Sequence, residues 1–290
     1  MRQTKILHKS LLSALPQTPV SYAEPITLIS VLFLVLPLVY WPGLYEAASL
    51  PRFFLIGLIG SATLFFWTIV KPDTSIAWHL GFSLILAFFG WAAISISWSP
   101  DPGTSLLEIT QLFSMLVLAF LAMQLTSRSP QFLSFLVPAI LAGATLTAII
   151  GLGQYLGFNP LELRRNQNTI PATFINPNHA AVYFDFIPWL ALVSPFVFQH
   201  RGLRWLASAS LGLSLAFILI NTSRGSLLAL FISCLFLVFV LVYKPGMRHW
   251  LKSRLAERYR EVLLALLIPL ITLAPLPHGQ DVQVVEQWDT

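Results

Sequence analysis

The chain alternates between long apolar runs and short polar connections. There are nine such runs, and they cover residues 26–42, 52–70, 77–97, 105–125, 132–156, 179–198, 204–221, 225–243 and 261–276. Each run approaches the ~20 residues that a helix needs to cross the hydrocarbon of a bilayer, and the last run is the shortest. The pattern predicts an all-α fold, a polytopic integral membrane bundle of about nine transmembrane helices.

Composition supports a membrane protein. The 290 residues are 56% hydrophobic and only 10% charged, which is too little charge for the surface of a soluble domain of this size. Residues 1–25 form a polar arm that is long for the n-region of a signal peptide, and further apolar runs follow at once, so we expect an uncleaved amino-terminal anchor. The predicted transmembrane domain covers residues 26–276, and residues 277–290 begin a further polar segment.

The positions of the basic residues predict the topology. If the amino terminus lies in the cytoplasm, thirteen of the seventeen Lys and Arg residues lie on that side, including those of the connection 244–260. The four on the opposite face are Arg52, Arg164, Arg165 and Arg224. The loop 157–178, the connection 221–225 and the segment 277–290 then share the non-cytoplasmic face. We interpret the basic connection as a surface for anionic membrane lipids, and we expect no nucleic-acid partner.

The polar stretch Asn166–Phe184 is the first candidate site. It is rich in Asn and Pro and leads into an apolar helix, where Pro177 and Asn178 are predicted to start and cap the helix. His179 is interpreted either as a base and hydrogen-bonding group or as an interfacial capping residue. Arg164 and Arg165 precede this stretch, and they either bind an anion or belong to a solvated loop.

Two charged residues near the predicted outer face have competing interpretations. Arg224, which follows the candidate cap Ser223, either binds a phosphate through its fork of donors or extends to lipid headgroups. Asp185 lies about 10 Å inside its helix, so we expect it to pair with Arg224, Arg164 or Arg165 or to stay protonated. It is interpreted as a structural ion pair or as a catalytic group. Arg52 is interpreted as a structural partner of Glu108.

Several familiar chemistries lack support in the sequence. It has no phosphate-binding loop motif, no dinucleotide fingerprint, no H-E-x-x-H and no G-x-S-x-G. No carboxylate cluster has the spacing of a divalent-metal site. We therefore expect no cofactor and no metal.

Three motifs carry a resemblance to a known family. Ala172–Ala181 reads ATFINPNHAA, Thr222–Ser226 reads TSRGS and opens a later helix, and Trp98–Pro102 reads WSPDP. In this combination and order, the chain resembles the O-antigen ligase and O-antigen polymerase superfamily. The resemblance covers most of the hydropathy pattern and roughly residues 90–240 in motifs.

The resemblance implies a C-type glycosyltransferase in a bacterial inner membrane, acting in lipopolysaccharide biosynthesis or a related pathway. Such an enzyme takes a glycan from an undecaprenyl diphosphate carrier and passes it to a hydroxyl of lipid A core, another glycan or a protein at the periplasmic face. Arg224 then matches the arginine that binds the carrier's diphosphate, and Asn176, Asn178 and His179 match the motif that lines the same cavity. The expected catalytic residues are His179 and Asp185; the expected substrate-binding residues are Arg224, Asn176, Asn178, Arg164, Arg165 and Ser223.

The chain departs from the family pattern at its carboxyl end. Family members continue with a large periplasmic loop and a helix that carries a His-Asn motif, whereas this sequence stops at Thr290. We interpret it as an amino-terminal portion of a longer ligase that lacks the general base; the alternative is a truncated, inactive relative.

Two other functions remain open at this point. A transporter, such as an inorganic-carbon transporter, also has many helices and a charged residue inside a span, but it needs polar groups on both sides of the midplane. A purely structural subunit predicts that Arg224→Ala leaves function intact.

Overall fold

The computed structural model describes residues 23–41, 48–70, 76–129, 131–158, 170–174, 176–221 and 223–273. Within these ranges the chain is helical and forms no strand. The helices are α1 Ala23–Val35, α2 Ser49–Val70, α3 Leu80–Ser95, α4 Pro102–Arg128, α5 Gln131–Tyr155, α6 Pro177–Val197, α7 Arg201–Asn221, α8 Arg224–Tyr243, α9 Pro245–Glu257 and α10 Tyr259–Leu273. Short 3-10 turns, Leu36–Leu38 and Ile96–Trp98, continue α1 and α3.

The helices coincide with the apolar runs of the sequence, and α9 carries the basic connection 244–260. Six of the described helices are long and apolar enough to cross a membrane: α3 with its 3-10 turn, α4, α5, α6, α7 and α8. The described parts of α1 and α2 form shorter apolar helices. The all-helical membrane fold is therefore confirmed in this coarser form, and nine crossings remain a prediction.

The chain divides into two compact units. The first unit consists of the chain up to Ser30 and of Ile56–Leu136, and the second unit consists of Val31–Leu55 and of the chain from Val137 onward. The boundaries fall inside α1, α2 and α5. The two motifs that begin α6 and α8 both belong to the second unit.

In the first unit, the turn between α3 and α4 ends in a strong helix start. The Asp101 carboxylate accepts the backbone N–H groups of Gly103 and Thr104 at 3.1 and 3.2 Å and the Thr104 hydroxyl at 2.6 Å. Pro102 occupies the first helical position, where its missing N–H costs nothing. The bonds from the Thr104 side chain and backbone lower the pKa of Asp101, because they favour the charged form.

The core of the second unit lies where α5, α6, α7 and the residues Ile170 and Ala172 pack together, and α10 packs against α7. The rings of Phe184 in α6 and Phe217 in α7 are 4.3 Å apart and both are fully buried. Gly212 in α7 faces α10 so closely that an added Cβ would lie 2.8 Å from Ile268 Cβ and 2.9 Å from the Ala265 carbonyl oxygen. Small residues permit this approach, as is typical of helix pairs in membranes.

By contrast, α8 exposes most of its apolar side chains. Among its residues only Ser226 is fully buried, and the exposed set includes Leu228, Phe231, Phe236 and Val242. A surface this apolar is suited to lipid. The first turn of α8 is therefore the part of this helix that is tied to the core.

Candidate functional site

The start of α6 is built by Asn176 rather than by Asn178. The Asn176 side chain accepts the backbone N–H of Asn178 at 2.9 Å, and Pro177 occupies the first helical position. The sequence predicts Asn178 as the cap, and this prediction is wrong: the N-cap is Asn176, two residues earlier. Since its own side chain is not the cap, Asn178 projects from the first turn as an exposed amide, followed by the exposed His179.

The segment 170–174, which leads to this helix start, is buried although it is not helical. Ile170, Ala172 and Thr173 are each at most 5% exposed. Ala172 has a φ of 49°, a left-handed conformation that a residue other than glycine rarely adopts. The predicted loop 157–178 is thus not a simple solvated loop: its carboxyl-terminal part is folded into the second unit.

A buried asparagine joins the end of α7 to the start of α6. Asn221 is 1% exposed, and its Nδ2 donates to the Pro177 carbonyl oxygen at 2.9 Å. The Asn221 Oδ1 is buried and has no hydrogen-bond partner within the described part of the chain. The bond connects the two predicted motifs directly, because Asn221 stands immediately before the T-S-R-G-S sequence and Pro177 lies within N-P-N.

Asp185 makes a second connection, from α6 to α8. Ser226 Oγ donates to Asp185 Oδ2 at 3.1 Å, whereas Asp185 Oδ1 is buried without a partner among the described residues. Asp185 is eight residues beyond Pro177, so the first turn of α8 lies about 12 Å along the axis of α6. The carboxylate thus bonds to a hydroxyl in the same turn as Arg224, and no described ion pair joins it to Arg224 itself.

Arg224 is the first residue of α8 and is exposed. No hydrogen bond or ion pair connects its guanidinium to any other residue in the described ranges. Ser223 occupies the N-cap position, but its side chain makes no cap hydrogen bond. Both side chains therefore keep their hydrogen-bonding capacity for another molecule.

Arg52 has a role that the sequence does not predict. From the sequence it is interpreted only as a structural partner of Glu108. In the structure its Nε donates to the Val39 carbonyl at 3.2 Å, and its Nη2 donates to the carbonyl oxygens of Pro37 and Thr173 at 3.1 and 2.8 Å. The signal in the sequence was that Arg52 is one of only four basic residues against the charge bias.

The structure therefore brings most of the predicted residues to one end of the second unit. Asn176, Asn178 and His179 begin α6, Ser223 and Arg224 begin α8, and Asp185 links the two helices. Arg164 and Arg165 lie outside the described residues. In the described ranges, no group of three or more His, Cys, Asp or Glu residues is placed to hold a metal ion.

The charges of this end come from the exposed Arg224, from two helix starts and from the carboxyl group of Asp185. A helix start carries partial positive charge on its free N–H groups, and the start of α8 lies beside Asp185, about 12 Å along α6 from the start of that helix. The fork of an arginine matches two phosphate oxygens. Asn178 and His179 add exposed hydrogen-bonding groups at the start of α6.

Within the described ranges, the helices and this site define an all-helical membrane protein with polar residues near the starts of α6 and α8. No family model, curated protein or solved structure matches the chain.

Proposed function

We propose that the protein transfers a glycan from an undecaprenyl diphosphate carrier to an acceptor hydroxyl at the non-cytoplasmic face of a bacterial inner membrane. In this proposal Arg224 binds the diphosphate, and Asn178 and His179 line the same pocket. The acceptor is lipid A core, another glycan or a protein.

The observation that carries the proposal is the hydrogen bond between Asp185 of α6 and Ser226 of α8. It fixes the start of α8, and with it Arg224, against the helix that opens with the Asn motif. The first turn of α8, with Arg224, thus packs on α6 about two turns from the Asn motif and next to an apolar, lipid-suited surface. A lipid-linked phosphate needs this combination: a cationic group for its head and hydrocarbon beside it for its tail.

The chemistry follows from these positions. The acceptor oxygen attacks the anomeric carbon, the bond from that carbon to the diphosphate oxygen breaks, and undecaprenyl diphosphate leaves. Negative charge grows on the departing diphosphate, and the Arg224 guanidinium stabilises it. The acceptor proton passes to a base: His179 is the candidate within this sequence, and the histidine of the His-Asn helix expected beyond Thr290 is the alternative.

In this scheme Asp185 acts through the position of α8. Its carboxylate accepts from Ser226, so it holds the first turn of α8 in register with α6. Asp185 was predicted as a catalytic group or as a structural pair, and the hydrogen bond favours the structural role.

The test is glycan transfer by matched arginine variants. We expect Arg224→Ala to reduce transfer by about 100-fold or more, because it removes the cation opposite the developing charge. Arg201→Ala is the control, since Arg201 is also exposed and also begins a helix, α7. Transfer is measured with a purified lipid-linked glycan and protein of known amount.

The control also defines failure. Normal transfer by Arg224→Ala at an unchanged protein level would reject the proposed site. Equal losses in Arg224→Ala and Arg201→Ala would indicate a general effect of positive charge on membrane insertion.

A further inference from the structure

The segment 170–174 is buried in the second unit but is not helical, so helical hydrogen bonds do not satisfy its backbone groups. A buried backbone carbonyl without a partner is costly, and this is most severe where lipid replaces water. The structure supplies partners from side chains. Gln154 Nε2 donates to the Ala172 carbonyl at 3.1 Å, and Arg52 Nη2 donates to the Thr173 carbonyl at 2.8 Å.

Arg52 does more than satisfy one carbonyl. Its Nη2 also lies 3.2 Å from Thr173 Oγ1, and that hydroxyl donates to the Pro37 carbonyl. The same guanidinium donates to Pro37 and Val39. One side chain therefore connects the turn after α1, the start of α2 and the segment 170–174.

The plane of the guanidinium adds a stacking contact. Arg52 Cζ lies 4.0 Å from the centre of the Phe174 ring, and that ring lies 5.2 Å from the ring of Tyr183 in α6. Phe174 is two residues before the N-cap Asn176, and its carbonyl accepts the Asn176 N–H at 2.6 Å. The contacts of Arg52 thus reach the residue that caps α6.

We propose that Arg52 is a positioning residue: it holds the segment 170–174 in place and thereby fixes Asn176 and Asn178 at the start of α6. The proposal rests on the proposed function for its effect on transfer, but its effect on the segment itself is independent of that function. A lysine cannot replace the arginine here, because an ammonium group lacks the planar fork and the stacking face that these contacts use.

The direct test measures how accessible the segment is. Ile170, which is buried, is changed to cysteine in a Cys234→Ser background, and the rate of reaction with a polar maleimide is measured on purified protein in lipid nanodiscs. We expect slow labelling with Arg52 present and a roughly tenfold faster rate with Arg52→Gln, since charge-assisted hydrogen bonds to the segment are lost. Arg52→Lys is expected to lie between them.

Two further variants keep the test decisive. Thr173→Val removes the hydroxyl link from the other side, so it should raise labelling in the same direction by a smaller factor, and it serves if Arg52→Gln fails to accumulate. Arg201→Gln is the control, because Arg201 is an exposed arginine at the start of α7, so the change removes a charge of the second unit without breaking a buried ion pair. It should leave the labelling of Ile170→Cys unchanged.

Transfer assays then ask how Arg52 acts. If it works through the Asn motif, Arg52→Gln should cost much less in an Asn178→Ala background than in the parent, because both changes disable the same element. Additive losses would mean that Arg52 contacts the substrate itself and would overturn the positioning role. Labelling that does not respond to Arg52→Gln or Thr173→Val would overturn it as well. Faster labelling in a protein whose parent shows no transfer would support Arg52 as a positioning residue and reject the proposed function.

Discussion

The second unit carries arginines at both ends of its helices, and their partners differ. At the end predicted to face the cytoplasm, Arg204 bonds to Glu261 at 3.3 Å and to the Gln199 carbonyl at 2.9 Å, and Arg258 donates to the Pro195 and Phe198 carbonyls. At the opposite end, Arg224 is exposed and has no partner in the described part of the chain. Arg204 and Arg258 thus connect parts of the protein to one another, whereas Arg224 remains available to another molecule.

The comparison shows how to separate structural arginines from ligand-binding ones in a membrane protein. Both kinds are rare, and both are costly if left alone in an apolar environment. What distinguishes them is whether the protein itself supplies the acceptors. By this criterion Arg52 belongs with Arg204, although the charge bias alone places it with Arg224.

The largest effect is expected at the Arg204–Glu261 pair. The two side chains are 22% and 11% exposed, so Glu261→Ala leaves a poorly solvated guanidinium and should destabilise the protein by roughly 3 kcal/mol. Thermal unfolding in a mild detergent measures this. Arg224→Ala, measured in the same way, should change stability little.

The outcome that would contradict this comparison is a large loss of stability in Arg224→Ala. The double change Arg204→Met with Glu261→Leu should recover much of the loss, because neither charge is then left unpaired. If the double change does not recover stability, the loss in Glu261→Ala comes from altered side-chain packing and not from an unpaired charge.

A smaller effect is expected at the link between α6 and α8. Ser226→Ala removes the donor to Asp185, and a double-mutant cycle with Asp185→Ala, which removes the acceptor, should give a coupling free energy of about 1 kcal/mol, the net value of an ordinary hydrogen bond. Unfolding measurements on the four proteins provide the cycle. A coupling free energy near zero would show that the hydrogen bond between Asp185 and Ser226 does not hold α8 against α6.

The smallest effect concerns Asp101 in the first unit, a carboxylate that bonds to a helix start instead of an arginine. Its pKa is lowered mainly by the hydrogen bonds from Thr104, so its contribution to stability is complete above the ordinary pKa of an aspartate and is lost as the pH falls through the lowered value. Asp101→Asn should remove that part of the acid dependence and keep the cap. The melting temperatures of the two proteins are compared between about pH 6 and about pH 3, a range that includes the ordinary pKa of an aspartate.

Local rules predicted many features of the two motifs. The apolar runs matched helices and Pro177 did begin a helix, whereas the helix α9 within the basic connection was not among the predictions. The cap was misplaced from Asn176 to Asn178, because either amide can serve and the choice depends on the backbone conformation before the proline. Asp185 was expected to pair with an arginine or to stay protonated; among the described residues it bonds to Ser226, whereas Arg164 and Arg165 lie outside them. Ser226 was not a predicted partner, since proximity in a bundle depends on helix register that hydropathy does not encode.

Hydropathy and residue type were enough to determine that this chain is helical and suited to a membrane, because a bilayer accepts little else and the lengths of the runs match its thickness. Where Arg52 would find its acceptors was decided only by the tertiary structure. Its partners Pro37, Val39 and Thr173 are distant in sequence and offer mostly backbone carbonyls, which every residue has. Such contacts leave no mark in the pattern of side chains, so only the folded arrangement of the segments reveals them.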